Sequence, residues 1–276
     1  MDLEVQVFEL DSDMVEHPHV EVGVDPGFKL IGGGAQVIYT PDQPGCLLTA
    51  SYPNDDLTKW IVKARDSMTP SANVVKAFAI GLKDPDNEFE VKLFKNTVPK
   101  QPDQHIRGSV TITDADYTLT CGGARTIPIN DNAGNFLTES TAKDSNTWEA
   151  SCKDHEVEER ATLEIFAIGL KLNSPILKLT NKLFLSGFSR DESHPSKVVS
   201  VPKAWNLTGG GAEIAYGSEP GNLLTASFPL MDISDPTNPI QTWNVAGKDH
   251  NITSPAKIEA IAIGVKTVLI PHFHPN

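Results

Sequence analysis

The segment Leu30-Ile31-Gly32-Gly33-Gly34-Ala35 places three glycines inside an apolar run, and close copies stand at residues 121–124 and 209–212. A tryptophan follows each copy, and an Ala-Ile-Gly string begins 19 residues after each tryptophan. The tryptophans are Trp60, Trp148 and Trp243, and the strings begin at Ala79, Ala167 and Ala262. Because these anchors keep the same order in every copy, the sequence predicts three tandem repeat units, at residues 1–86, 87–174 and 175–276.

Apolar and polar residues alternate with a period of two inside each unit. Val20, Val22 and Val24, for example, are separated by Glu21 and Gly23. This period is typical of β-strands, and no amphipathic helical pattern of useful length occurs. Glycines inside a strand indicate a bend or the close approach of another backbone. The sequence therefore predicts an all-β fold of many short strands.

The repeat count favours a particular arrangement of these strands. A single unit of this size buries too little surface to be more than marginally stable. We therefore predict three pseudo-threefold repeats in a β-prism-like body, with three tandem β-sandwich units as the alternative. The face that carries each tryptophan stays apolar or small in all copies, which predicts a core role for the tryptophan. The alternative role is a platform for stacking sugars.

Composition excludes several classes of protein. The 276 residues carry a formal net charge of −13, which opposes binding to nucleic acid or to an anionic membrane. No run approaches the roughly 18 apolar residues of a membrane-spanning helix. The three cysteines show no CxxC spacing, so we expect reduced thiols, no metal and no cofactor. The acidic N-terminus lacks a signal-peptide pattern, so we expect cytoplasmic synthesis and, if the protein is released, a non-classical route.

The loops after the glycine-containing strands are the first candidate binding sites. Each holds an acidic residue, and two hold a tyrosine; these candidates are Tyr39, Asp42, Asp131, Tyr216 and Glu219. Acidic and aromatic groups on repeated exposed loops suit polar sugars, which need hydrogen-bonding edges and an apolar platform. Ordinary hairpin turns are the alternative interpretation.

An aspartate six residues after each tryptophan gives a second candidate set. It comprises Asp154 and His155 in the second unit and Asp249 and His250 in the third. The first unit has Asp66 followed by Ser67. The alternative role for these aspartates is to accept backbone N–H bonds in a strand-end turn. Further histidines precede the glycines, at His17, His19, His105 and His194. His-x-His spacing can suit a zinc site, but no three-ligand pattern repeats, which favours solvated loop positions for them.

The order of motifs resembles a glycine-rich β module that ends many bacterial collagen-like or surface-associated proteins. The resemblance rests on 32–35 (Gly-Gly-Gly-Ala), 51–53 (Ser-Tyr-Pro), Trp60 and 77–79 (Ala-Phe-Ala), with a second match in the third unit. Members often carry a cysteine near each end, where this chain has Asp25 and Gly81. The resemblance implies a trimer-like assembly of three modules and lends no catalytic residues.

These observations favour a non-catalytic, multivalent recognition protein that is lectin-like or binds a cell-surface receptor. Three related sites on one rigid body give avidity without strong affinity at any single site. The expected partner is a surface glycan or a protein receptor, and oligomers remain open. An insecticidal or cell-targeting toxin component is the alternative function, and a structural or assembly role is a further one. An enzyme would need one unit to depart from the others with a tight catalytic cluster.

Overall fold

The computed structural model describes residues 3–39, 44–130, 134–217, 220–232, 234–235 and 239–270. These residues form 18 β-strands and no helix, so the all-β prediction is confirmed. The first unit contributes β1 (Val5–Asp11), β2 (His19–Gly23), β3 (Phe28–Ile38), β4 (Leu47–Pro53), β5 (Lys59–Arg65) and β6 (Val74–Lys83). The second contributes β7 (Phe89–Asp103), β8 (His105–Thr111), β9 (Thr118–Pro128), β10 (Asn135–Ala142), β11 (Thr147–Asp154) and β12 (Ala161–Leu172). The third contributes β13 (Leu177–Leu185), β14 (Ser196–Ser200), β15 (Asn206–Tyr216), β16 (Leu223–Asp232), β17 (Ile240–Lys248) and β18 (Ala256–Leu269).

The strands form three six-stranded antiparallel sheets, and each sheet joins strands of two units. Sheet 1 has the order β1-β6-β3-β16-β17-β14, sheet 2 the order β2-β5-β4-β9-β12-β7, and sheet 3 the order β13-β18-β15-β10-β11-β8. Each sheet thus places the first, sixth and third strands of one unit beside the fourth, fifth and second strands of another. The two sets meet where a third strand pairs with a fourth strand. Because every unit is divided between two sheets, the alternative of three separate sandwiches is wrong.

The glycine-containing strands lie at the seams where two units meet. At each seam only two residue pairs are in register, such as Ser140 opposite Ala212 between β10 and β15. A Cβ atom on Gly211 would lie 2.2 Å from the carbonyl oxygen of Ser140 and 2.4 Å from the Cα of Thr141. Only a residue without a side chain allows the two backbones to approach this closely. The predicted close approach is therefore confirmed.

Replacing Gly211 with alanine should destabilise the protein by about 1–3 kcal/mol or more, because the clashing atoms belong to backbone that cannot rotate away. Gly217→Ala is the matched control, since a Cβ there meets nothing within 4 Å. We expect the control to change stability by less than about 0.5 kcal/mol. Urea unfolding followed by circular dichroism measures both. Equal stability of the two variants would contradict the seam geometry.

The three repeat tryptophans lie in the core, each with 1% of its surface exposed. Their indole N–H groups donate to serine hydroxyls of the neighbouring strand, over 3.0 Å from Trp60 to Ser51 and 2.9 Å from Trp243 to Ser227. All three indoles line one narrow axial cavity of about 20 Å³. This is room for one water. The core prediction is confirmed, and the sugar-stacking alternative is wrong.

All three cysteines are buried free thiols. Burial raises the pKa of the Cys121 thiol to about 11, and it also raises the pKa of Cys152. Cys121 and Cys152 are at most 2% exposed. Cys46 takes the place that Asn222 holds in the third unit, and its Sγ donates to the carbonyl oxygens of Glu16 and Ser71.

Candidate functional site

Loops of all three units lie together at one end of the molecule, which we call the loop end: residues 44–46, 66–73, 134–135, 154–160, 220–222 and 249–255. Contacts between units hold it together. The side chain of Asn251 donates to Glu156 over 3.3 Å, and the Lys248 ammonium donates to the carbonyl oxygen of Pro44. Loops that are far apart in the sequence therefore present one continuous surface.

An exposed histidine pairs with an aspartate at each of three corners of the loop end. The Nε2-to-Oδ1 distances are 3.2 Å for His17 and Asp66 and 3.2 Å for His105 and Asp154. For the third pair, His194 and Asp249, the distance is 3.4 Å. The three imidazoles are 52–70% exposed, whereas the carboxylates are only 12–14% exposed. The same polar pair thus recurs once per unit.

The second oxygen of each aspartate accepts a backbone N–H bond within its own loop. Oδ2 of Asp154 accepts from the N–H of Glu159 over 3.2 Å, and Oδ2 of Asp249 accepts from Ser254 over 3.0 Å. Each aspartate therefore accepts a backbone N–H bond in a strand-end turn and also contacts a histidine. A carboxylate fixed in this way holds the Nε2 edge of the imidazole against the protein, while more than half of each histidine side chain stays exposed. Sequence reasoning found the aspartates and missed their histidine partners.

The two candidate tyrosines are engaged with lysines of other units. Lys248 Nζ lies 5.0 Å from the centre of the Tyr39 ring, and Lys153 Nζ lies 5.2 Å from that of Tyr216. Burial raises the pKa of the Tyr39 hydroxyl, against an opposing hydrogen bond with Thr225. The residue as a whole is nevertheless 37% exposed. The hydroxyl therefore faces inward while the ring forms part of the surface.

One corner departs from this pattern. Pro128 stands four residues after Ala124, where the other units have a tyrosine, and Arg65 stands where they have a lysine. A cleft of about 420 Å³ opens beside Pro128, and we call it the corner cleft. Its polar lining consists of His17, His19, Thr49, Lys63, Arg65, Thr126 and Asn135.

The corner cleft is basic although the protein as a whole is acidic. Lys63 and Arg65 supply two cations, and no carboxylate is among its lining residues in the described part of the chain. Burial lowers the pKa of His19, and the nearby charge of Lys63 lowers it further, so this imidazole is neutral at pH 7. The side-chain oxygen of Asn135 is buried in the cleft wall without a hydrogen-bond partner among the described residues. The cleft thus offers donors and acceptors to a polar or anionic ligand.

His155 and His250 are placed differently from the exposed loop positions expected of them. Both are 1% exposed. Their rings pack edge to face with centres 5.5 Å apart, and Nε2 of His155 lies 2.9 Å from the carbonyl oxygen of His250. Each stands before a residue of positive φ, Glu156 at 62° or Asn251 at 59°, which turns the loop over it. A ligand on the surface does not reach these two imidazoles.

The remaining candidates, Asp42, Asp131 and Glu219, lie outside the described residues. Within the described residues, no group of three histidine, cysteine, aspartate or glutamate side chains could hold a metal ion. The same residues contain no helix that is long and apolar enough to cross a membrane. Comparison of the sequence with protein-family models gave no match, and a search of curated proteins gave no significant match.

Proposed function

We propose that this protein is a non-catalytic, multivalent recognition protein that binds hydroxyl-rich ligands, such as surface glycans, through the loop end. The observation that carries the proposal is the threefold recurrence of one exposed histidine on one aspartate whose side chain is only 12–14% exposed. An exposed imidazole that is held in place by a carboxylate is a suitable hydrogen-bonding group for a sugar hydroxyl. Each such contact is weak, and three on one rigid body act together through avidity.

The surroundings of the histidine pairs support a saccharide rather than a protein surface. Tyr39, which is 37% exposed, places an aromatic residue beside polar groups, and the corner cleft has the volume of a small-ligand site. Lys63 and Arg65 favour a saccharide with an acidic group in that cleft. The exposed hydrophobic residues of the loop end include Met68, which is 63% exposed, and Ile252, which is 50% exposed.

Removing all three corner histidines should reduce binding to a dense glycoprotein surface by at least a hundredfold. The variants are His17→Ala, His105→Ala and His194→Ala, alone and combined. Each single change should weaken surface binding more than binding of a monovalent sugar, because avidity is lost stepwise. Surface plasmon resonance on immobilised glycoprotein measures the first quantity, and a glycan array first selects the monovalent sugar.

The matched control is Lys92→Ala, which removes an exposed side chain that pairs with Asp114 over 3.2 Å. This control should bind like the parent. Equal binding by the triple variant and the parent would exclude the histidine corners. A parent that binds no glycan but releases dye from loaded lipid vesicles would support the toxin alternative instead.

A further inference from the structure

A second cleft lies on sheet 3, outside the loop end, and its residues differ from those at the corresponding places of the other two sheets. On sheet 2 the place is covered by the stacked rings of Tyr52 and Phe166, whose centres are 5.1 Å apart. On sheet 1 it is covered by Phe78 and Phe228, at 5.0 Å. On sheet 3 the corresponding residues are Thr141 and Ile261.

The loss of the aromatic pair opens a cleft of about 460 Å³, which we call the acidic cleft. Its charged lining residues are Arg107, Glu139, Lys143, Glu149, Glu213 and Glu259. Three of the glutamates form one row across three strands, because Glu213 lies opposite both Glu139 and Glu259. Like charges directly opposite each other destabilise a sheet, so this row has an electrostatic cost in the free protein.

The two cations of the cleft neutralise the carboxylates only in part. Arg107 lies 3.1 Å from Oε1 of Glu139 and 2.5 Å from Oε1 of Glu149. Lys143 lies 2.7 Å from the other oxygen of Glu149. Glu213 is 3.9 Å from Arg107, and the cleft holds four carboxylates against two cations. The surplus of negative charge is at the row of glutamates.

The protonation of the row follows from this imbalance. Burial raises the pKa of Glu139 to about 7, with Glu213 and Glu149 adding to the shift and Arg107 opposing it. Burial also raises the pKa of Glu259. Burial acts in the same direction on Glu149, but the hydrogen bonds from Lys143 and Arg107 outweigh it and lower the pKa. Near pH 7 Glu139 is therefore only partly ionised, and an added cation would favour its ionised form.

An independent feature of the cleft also points to a missing partner. Thr141 lines the cleft, is 3% exposed, and its Oγ1 has no hydrogen-bond partner among the described residues. Buried hydroxyls are normally satisfied, so a donor is expected in the cleft. Leu185 and Ile261 form an apolar wall beside the acids. The combination suits a ligand with a charged donor at one end and an alkyl chain behind it.

We propose that the acidic cleft binds a primary alkylammonium group, either of a free polyamine or of a lysine side chain. The ammonium donates its three hydrogens to the glutamate row and to Thr141, and the methylenes lie on Leu185 and Ile261. A compact divalent metal suits the cleft less well, because no three of the described carboxylates are placed so that they could hold a metal ion. The proposal does not depend on the proposed glycan binding.

Isothermal titration calorimetry of the whole protein with spermidine tests the proposal. At pH 7 we expect binding with release of protons, because the ammonium favours ionised Glu139; the release is measured from the change of the observed binding enthalpy with the ionisation enthalpy of the buffer. Glu259→Gln should weaken binding at least tenfold. Glu139→Gln should weaken it similarly and abolish the proton release. Circular dichroism shows whether each variant is folded. If Glu139→Gln does not fold, spermidine binding by Glu259→Gln alone tests the proposal.

Glu164→Gln is the matched control, because Glu164 holds the position of Glu259 in the second unit and is bound by Arg125 over 2.6 Å. It should bind spermidine like the parent. A peptide with one lysine distinguishes the two sources: tighter binding of the peptide indicates a protein partner, and tighter binding of spermidine indicates a polyamine. Absence of spermidine and peptide binding at millimolar concentration, equal loss in Glu164→Gln, or displacement by equimolar Mg²⁺ would overturn the proposal.

Discussion

Replacing Trp243 with alanine should lower the free energy of unfolding by about 3–5 kcal/mol, the cost of removing a large aromatic side chain from a core. The indole is 1% exposed and donates a hydrogen bond over 2.9 Å to Ser227. It packs directly on the backbone of Gly210, so the surrounding strands cannot move in to fill the space. Urea unfolding followed by circular dichroism measures the change, and Trp60→Ala and Trp148→Ala should behave alike.

The fourth tryptophan supplies the matched control for this prediction. Trp205 is only partly buried. It contacts Phe184 edge to face with centres 6.0 Å apart and lies 4.3 Å from Lys266 Nζ. Trp205→Ala should therefore cost about 1–2 kcal/mol, the value of such surface contacts together with partial burial. Similar losses for Trp205→Ala and Trp243→Ala would contradict the assignment of the repeat tryptophans to the core.

Local sequence patterns predicted the strands and the buried tryptophans of this fold, but they did not predict how the units exchange strands. A period of two and a glycine run are properties of neighbouring residues. The choice of partner for β9 depends instead on a seam where only Ser51 opposite Ala124 and Ala50 opposite Arg125 are in register. Two residue pairs leave no pattern in the chain, and many other pairings satisfy the same alternation.

The same limit applies to the candidate site. Asp154 was found because an aspartate stands six residues after the repeat tryptophan in every unit, here Trp148. His105 was missed as its partner because the two lie 49 residues apart, and only the register of β8 against β11 brings them together. A signal was nevertheless present, since a histidine precedes or begins the second strand in all three units. His155 was expected at the surface, as part of a strand-end turn. The turn instead folds this side chain inward, with Glu156 at positive φ.

The sequence signal for the acidic cleft lies in the differences between the three repeat units. Tyr52 and Phe228 predict an aromatic residue at the corresponding place of the second unit, which has Thr141. Phe166 predicts another at the place that Ile261 holds in the third unit. These two departures fall on the same sheet only because the units exchange strands. The cleft therefore follows from the sequence only once the sheet order is known.

Acidification should destabilise the protein through His250, by about 3 kcal/mol between pH 7 and pH 4. Burial lowers the pKa of this imidazole to about 4, and the neighbouring His155 and Lys248 add to the effect while Asp249 opposes it. In the unfolded chain the pKa is close to 6.5. Between pH 6.5 and 4 the unfolded chain therefore binds the proton first, and stability is lost as the pH falls through this window.

Glu139 titrates with the opposite sign and must be separated from His250. Its pKa is raised to about 7 in the folded protein against 4.5 in the unfolded chain. The folded state binds more protons between these values, so this group adds stability as the pH falls from 7 to 4.5. The net profile of the parent is the sum of both terms. The informative quantity is therefore the difference in unfolding free energy between the parent and each variant at the same pH.

Two variants, His250→Gln and Glu139→Gln, measured by urea unfolding from pH 7.5 to pH 4, isolate the two terms. The parent should lose stability relative to His250→Gln as the pH falls, and it should gain stability relative to Glu139→Gln. A difference between the parent and His250→Gln that stays constant with pH would show that the imidazole is not held neutral. NMR titration of the His250 ring gives the pKa directly. The His250 ring packs on His155 of another unit. Protonation of His250 should therefore weaken the contact that joins the second and third units.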